Sequence, residues 1–326
     1  MADHARRRGF ALITVLWVMA GATIVLLHHS LPGRDAFNAA RNRALSARGA
    51  WIAEACLEVV RARVDDVLAD SLRGNSTAER WSALDKALTG IIDSLRQPLQ
   101  VFGAGSTAGS GRCDVSLEAV GSRLDLNTAG DAELRQALSD VIGDVSAAQV
   151  TDALLDWRDA DDDPRPLGAE RVWYTTRQRV APRNGALADV PELALLRGLE
   201  DSTVLASAAS VLGVEQGLIS LNNAPAAVLK TIPGIADEAA NALVQANQLG
   251  QPITDLIQFS STLSANGANL LRSRYPDIVR LSLLEPGAWT IRARSTVGWP
   301  AVTTDIELRM TRMGMRAAIV RRRSWT

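Results

Sequence analysis

From Phe10 to Leu27 the chain carries no charged residue. At the helical rise this run covers about 27 Å, enough to cross the hydrocarbon core of a bilayer. A segment of that length has to be covered by lipid or by other helices, so it constrains where the rest of the chain can lie. Arg6, Arg7 and Arg8 stand directly before it. The positive-inside rule then leaves the amino terminus in the cytoplasm and places the remainder across the membrane.

A secretory signal would put its small-residue cleavage site after the apolar run, but Ala20, Gly21 and Ala22 lie inside it. Gly9 is better placed. A cut between Gly9 and Phe10 removes a basic leader, residues 1–9, and keeps 10–27 as the new amino-terminal helix. This arrangement resembles the leaders of type IV pilins and of type II secretion pseudopilins. The resemblance implies cleavage by a prepilin peptidase, methylation of the new amine, and a single-pass anchor in the inner membrane with most of the chain periplasmic. On these residues alone an uncleaved signal anchor is the alternative. Most such subunits carry Glu at the fifth position after the cut, where a buried carboxylate neutralises a neighbour's amine. Here that position is Thr14, which suits a filament end better than a repeated place along the shaft.

Beyond the run, His28 and His29 read as interfacial polar residues, and Pro32-Gly33 predicts a break where the helix leaves the membrane. Helical periodicity resumes from Asp35 to about Leu72. Ala40, Ala44, Ala47, Trp51 and Ala55 mark one side, Cys56, Val60, Val64 and Val67 continue the apolar stripe, and Arg34, Arg41, Arg43, Arg48, Arg61 and Arg63 fall on the wet face. A second short helix is predicted over Trp81–Leu95, followed by a Gly/Ser-rich loop, 103–111. Alternation at Val115, Leu117 and Ala119 predicts a strand, and the same period returns only at Trp289, Ile291 and Ala293 and again from Val302 to Leu308. The terminal RAAIVRRRSWT can add an edge strand. Because an isolated two-stranded ribbon is marginal, one sheet closed across the intervening helical stretch is the better reading. Cys56 and Cys113 are two cysteines that can pair in an oxidising compartment; the sequence does not decide whether they do.

The insertion, 125–280, contains two similar segments, LDLNTAGDAELRQAL from Leu124 and ISLNNAPAAVLKTIPGI from Ile219. Each offers an extended piece, an Asn suited to cap, and a helix; the IPGI turn at Ile232–Ile235 reads as a helix-hairpin-helix unit. Such hairpins can bind DNA through backbone amides, and a membrane-anchored DNA-binding module is the alternative function. Charge opposes it: 125–280 holds 21 acidic and 12 basic residues, a net of −9, so no nucleic acid partner is expected. Between the repeats lies DWRDADDDPRPLGAE. Asp159, Asp161, Asp163 and Glu170 occupy positions 1, 3, 5 and 12 of an EF-hand-like spacing, a hard oxygen set that suits calcium, with Asp156 and Asp162 in reserve for a second ion or as outer partners. Pro164 replaces the Gly of a standard loop at position 6. A solvated acidic loop, or acids paired with Arg158, Arg165 and Arg171, are the competing readings. No catalytic constellation is legible, since all three His lie in the first thirty positions, and an enzyme is not expected.

The leader with Thr14, the split sheet, DWRDADDDPRPLGAE, ADVPELALLRGL and LNNAPAAVLKTIPGI together resemble the protein K family of type II secretion. The resemblance implies an α+β chain: a pilin-like fold, with a long amino-terminal helix on a small antiparallel sheet, and a large inserted all-α domain. Its boundaries are then a leader at 1–9, a membrane helix at 10–27, the pilin helix, short helix and first strand at 28–124, the insertion at 125–280 and closing strands at 281–326. It further implies calcium in the acidic loop. The role implied is a minor pseudopilin that joins other minor pseudopilins at the tip, meets the major pseudopilin, and primes and caps the pseudopilus.

Overall fold

The computed structural model describes residues 3–71, 112–298, 301–313 and 316–325, with side chains over 13–25, 34–63 and 66 in the first stretch. The expected short helix at 81–95, the Gly/Ser-rich loop at 103–111 and the Gly9–Phe10 junction's side chains lie outside the described residues. Helix α1 runs from Asp3 to Ser71. It continues through Pro32-Gly33, where the sequence predicts a break. Proline removes one backbone donor and crowds the preceding turn, which kinks an established helix without having to end it.

Strand β1 (Arg112–Ala119) pairs antiparallel with β6 (Ala288–Val297), β6 with β7 (Val302–Met313), and β7 with β8 (Arg316–Trp325). The sheet order is β1-β6-β7-β8. Alternation in β6 buries Trp289, Ile291, Ala293, Ser295 and Val297 toward α1. The other face carries ion pairs across strands, Arg292 with Glu307 at 2.7 Å and Arg294 with Asp305 at 2.7 Å. Helix α1 lays Ile52, Ala53, Cys56, Leu57 and Val60 on the sheet, a stripe of helical period. Trp51 is not part of it: the ring is 77% exposed, and Ala40, Ala44 and Ala47 are exposed as well. The sheet-facing side is instead centred on Gly49, where an added Cβ would lie 2.7 Å from Thr304 Oγ1 and where Ser295 Oγ donates to the Gly49 carbonyl at 2.7 Å. Trp51, two residues on, falls on the opposite side of the helix.

All remaining elements are inserted between β1 and β6. The insertion leaves and rejoins the sheet at one point, since Ala119 pairs with Trp289 and Val120 N donates to Ala288 O at 2.9 Å. In order come β2 (Leu124–Asp125), α2 (Asp131–Ile142), α3 (Asp144–Arg158), α4 (Arg171–Thr176), a 3-10 turn (Val190–Leu195), α5 (Ser202–Val211), β3 (Leu212–Gly213) and β4 (Ile219–Ser220). Then follow α6 (Ala226–Leu229), α7 (Asp237–Gln248), α8 (Leu256–Ser260), α9 (Ala265–Ser273), α10 (Tyr275–Leu281) and β5 (Ser282–Leu283). Two parallel bridges, β2 with β3 and β4 with β5, close its two halves, and the insertion has its own core, with Leu134, Leu154, Trp157, Tyr174, Leu193, Leu229 and Leu271 fully buried or nearly so.

The two similar segments do use Asn alike, but as long-range pins and not as caps. Asn127 exchanges hydrogen bonds with the Leu187 N–H and carbonyl at 2.8 and 2.9 Å. Asn222 does the same with Ile253, at 2.8 Å each way, and also donates to Leu284 O. The α2 N-cap is Gly130, whose N–H donates to Glu133 Oε2 at 2.8 Å. A buried loop backbone needs partners more urgently than an exposed helix end, which water can satisfy.

Cys56 and Cys113 form a disulfide joining α1 to β1 across a sequence separation of 57. In the chain-entropy account a loop of that size contributes about 4 kcal/mol. Reduction should therefore lower the melting temperature markedly in a thermal scan, and equal melting with and without reductant would contradict the bond's role.

Candidate metal centre

The centre grows out of the end of α3, where Thr151 through Trp157 are buried without interruption. Two of these seven are acids, Asp152 and Asp156, one helical turn apart, and a buried carboxylate requires compensation. Asp152 has it: Arg135 Nη2 donates to Oδ1 at 2.5 Å and Leu167 N to Oδ2 at 3.0 Å. Asp156 is fully buried and has less. Arg165 N lies 3.2 Å from both its oxygens and Arg165 Nε 3.6 Å from Oδ1. Gly168 packs directly on this carboxylate; a Cβ there would meet Asp156 Oδ2 at 2.0 Å, so no larger residue fits.

Asp159 ends α3 in an extended conformation, and Glu170 precedes α4 in the same way. Both turn back toward Asp156. One carboxylate oxygen from each of Asp156, Asp159 and Glu170 lies within 4.8 Å of the others. Asp159 Oδ1 and both oxygens of Glu170 are buried without a hydrogen-bond partner. Burial, then the charges of Asp156 and Asp159, push Glu170 up to about 7. Burial is also the main cause of the upward shifts of Asp156 and Asp159, with neighbouring carboxylates adding to each.

Three clustered carboxylates, two of them with orphaned oxygens, can be neutralised by protons or by a cation. The donor set is all oxygen, without His or Cys, which suits a hard divalent ion such as calcium. The residues therefore fit the ion that the loop's spacing suggests. The EF-hand spacing itself is not kept. Its first and last positions, Asp159 and Glu170, meet in the cluster, while Asp161 and Asp163 stand outside it: Asp161 Oδ1 accepts from Asp163 N at 3.0 Å, and both are exposed. Pro164 denies the sharp turn that would curl all three acids around one point, and Asp156, one turn back along α3, takes the vacant part. Asp162 lies 3.8 Å from Arg171 Nε and 3.3 Å from Asn184 Nδ2.

Of the three arginines offered as competing partners, only Arg165 reaches the cluster. Arg158 donates instead to Leu126 O and Ala129 O, at 2.5 and 2.6 Å. Sequence reasoning missed Asn184, which has φ +51°, donates Nδ2 to Asp161 O at 2.9 Å, and keeps a buried Oδ1 with no partner. The NG pair at 184–185 is the signal that marks such a turn. It also missed Arg197, whose Nη1 holds the Gly168 carbonyl at 2.6 Å and whose N–H donates to Tyr174 Oη at 3.0 Å. Tyr174 in turn meets Trp157 edge-on at 5.3 Å.

Fold and site together define an α+β protein whose sheet is interrupted by a helical insertion holding a carboxylate cradle. Residues 119–212, which include every cradle residue, match the family model of type II secretion system (T2SS), protein K. The matched stretch, under a third of the chain, is similar to that family. Among solved structures it is similar to a chain of the crystal structure of the GspK-GspI-GspJ complex from the enterotoxigenic Escherichia coli type 2 secretion system. That similarity has 16% identity and a TM-score of 0.47, and covers 79% of this chain and 99% of that one. No match was found among curated proteins.

The raised carboxylates set the pH dependence. A folded-state pKa above the unfolded value contributes stability at low pH that is lost as pH rises, here from the ordinary 4.5 of Glu170 through about 7. In chelator, the melting temperature should fall between about pH 5 and about pH 7.5. Calcium should abolish that fall, and a flat profile in chelator would contradict the shared burial of the three acids.

Proposed function

We propose that this chain is the large minor pseudopilin at the tip of the type II secretion pseudopilus, a structural subunit and not an enzyme. The observation that carries the reading is the protein K match over the segment that holds the acidic cradle. In this role the leader 1–9 is removed between Gly9 and Phe10, the new amine is methylated, and residues 10–27 anchor the subunit in the inner membrane with the rest in the periplasm. Supporting the anchor, Ile13, Val15, Leu16, Trp17, Val18, Met19, Ile24 and Val25 are each more than half exposed on α1, uncovered by any described residue. Residues 10–12 and 26–27 lie outside the described side chains, and among the described residues no helix is long and apolar enough to cross a membrane. A bilayer first, and neighbouring subunit helices later, would cover such a surface.

The α1–sheet unit then acts as the pilin-like body, and the insertion, with its hairpin at Ile232–Ile235, as the bulk that fits at a filament end but not along its shaft. Other minor pseudopilins are the partners, and their complex primes and caps assembly above the major pseudopilin. Calcium serves folding, held by Asp156, Asp159 and Glu170. When bound it supplies the positive charge that the cradle lacks, and the chain's own residues fix the cradle's shape: Gly168 leaves room for Asp156, and Arg197 holds the Gly168 carbonyl in place. DNA binding has little support: beside the hairpin, Lys230 is held between Asp140 and Asp237, and Arg274, packed on Gly234, pairs with Asp277.

Two experiments test this. Intact mass of the membrane-expressed protein should show loss of Met1–Gly9 only when prepilin peptidase is present; a persistent full-length mass with an active peptidase would contradict the pilin reading. Glu170→Gln should raise the melting temperature in chelator, because it removes one of three repelling charges, and should lose most of the stabilisation that calcium gives the wild type. A calcium shift equal to that of the wild type would overturn the metal role.

A further inference from the structure

At Trp173 of α4, three guanidinium groups surround one indole. The central carbons of Arg177, Arg197 and Arg179 lie 4.4, 5.3 and 5.7 Å from the Trp173 ring centroid. Each distance is within the range of cation–π attraction, but three like charges around one ring repel one another. Among the described residues one carboxylate pairs with them, Glu200 with Arg179 at 2.5 Å. Arg177 donates to Trp173 O and Thr176 Oγ1, and Arg197 to Gly168 O, all neutral acceptors. Among the described residues neither has a carboxylate partner. The group thus carries a local excess of positive charge inside an insertion whose net charge is −9.

The backbone is bent to make this arrangement. Gln178 sits at φ +55°, a left-handed conformation that L residues other than Gly, Asn and Asp rarely adopt. The N–H groups of Arg177 and Arg179 both donate to Tyr174 O, at 3.1 and 2.9 Å. The turn folds the chain back so that the residues on either side of Gln178 reach the same ring. A left-handed residue just past the C-cap is a common way to end a helix, and here it brings Arg177 and Arg179 to one ring. Val172 and Val180 flank the group, 73% and 61% exposed, and give a ligand apolar surface beside the charge.

We propose that the Trp173–Arg177–Arg179–Arg197 platform docks a short, carboxylate-rich peptide segment of another protein. Guanidinium forks match carboxylates in geometry, and the indole and valines accept the aliphatic parts of Glu side chains. Scale decides the class of partner. A long polyanion such as a nucleic acid, or an anionic membrane surface, extends past the platform onto an acidic domain and is repelled, whereas a segment of a few acidic residues meets only the basic patch. This docking depends neither on the cradle's ion nor on the tip assignment.

The test is fluorescence polarisation of dye-labelled hexaglutamate titrated with the full-length protein at about 0.1 M salt, with hexaserine as the control. Hexaglutamate should bind saturably, hexaserine should not, and binding should weaken as salt rises. Arg177→Glu, at an exposed position, should weaken binding by roughly tenfold or more without moving the melting temperature. Arg177→Gln, which leaves no reversed charge, should weaken it by a smaller factor. No saturable binding of hexaglutamate, equal affinity in Arg177→Glu and Arg177→Gln as in wild type, or tighter binding of duplex DNA than of hexaglutamate to the same platform would each overturn the proposal.

Discussion

Three carboxylates that cannot all stay charged where the chain puts them govern the central part of this molecule. Asp156, Asp159 and Glu170 lie within 4.8 Å of one another, and Asp159 and Glu170 have oxygens that nothing donates to. Between them runs a stretch with no regular structure. Its shape is held by a few contacts to the cradle's walls, namely Leu167 N on Asp152, the Gly168 backbone against Asp156 and under Arg197, and Asp161 O under Asn184. A cation at the cradle would turn mutual repulsion into shared attraction and secure that whole stretch at once. The same charge arithmetic explains why burying so many acids is tolerable only if an ion or a set of protons arrives with them.

The cradle is also tied to the sheet. The segment after Asn184 is pinned by Asn127 at Leu187, and Arg323 of β8 donates to the Ala188 carbonyl. Farther along, Glu215 accepts from Arg309 and pairs with Arg321, both on the outer face of the sheet, while Gln216 Oε1 receives Gly121 N at 3.0 Å. An acidic insertion thus rests on a basic edge. Because it departs from and returns to adjacent positions on β1 and β6, the insertion leaves the sheet's hydrogen bonding intact. A four-stranded sheet can carry so large an addition with its ladder unbroken because of this junction.

Much of this is legible in residue order where local periodicity governs. The two-residue period of β1, β6 and β7 and the apolar arc of α1 reflect burial against a neighbour that the sequence implies, and the β1–β6 pairing across a long insertion follows from the marginality of a lone ribbon. Where tertiary geometry competes with local preference, the sequence is a poorer guide. Asn127 and Asn222 look like caps, yet buried backbone elsewhere has the stronger claim on their amides. Trp51 looks like core, but the sheet lies against the opposite face of α1, which carries Gly49, Ile52 and Cys56. In the acidic loop, Asp159 and Glu170 meet in one cluster, Asp161 and Asp163 lie exposed outside it, and Asp156, held in reserve by spacing, enters from the helix before them.

A calcium ion in the cradle would be held jointly by Asp156, Asp159 and Glu170. The most direct measurement is a crystal structure of the protein grown with calcium, phased and inspected for anomalous signal. The account predicts one peak at about 2.4 Å from an oxygen of each of these three residues. A calcium-replete crystal with no peak there, or with the ion held by Asp161 and Asp163 and not by Asp156, would contradict it.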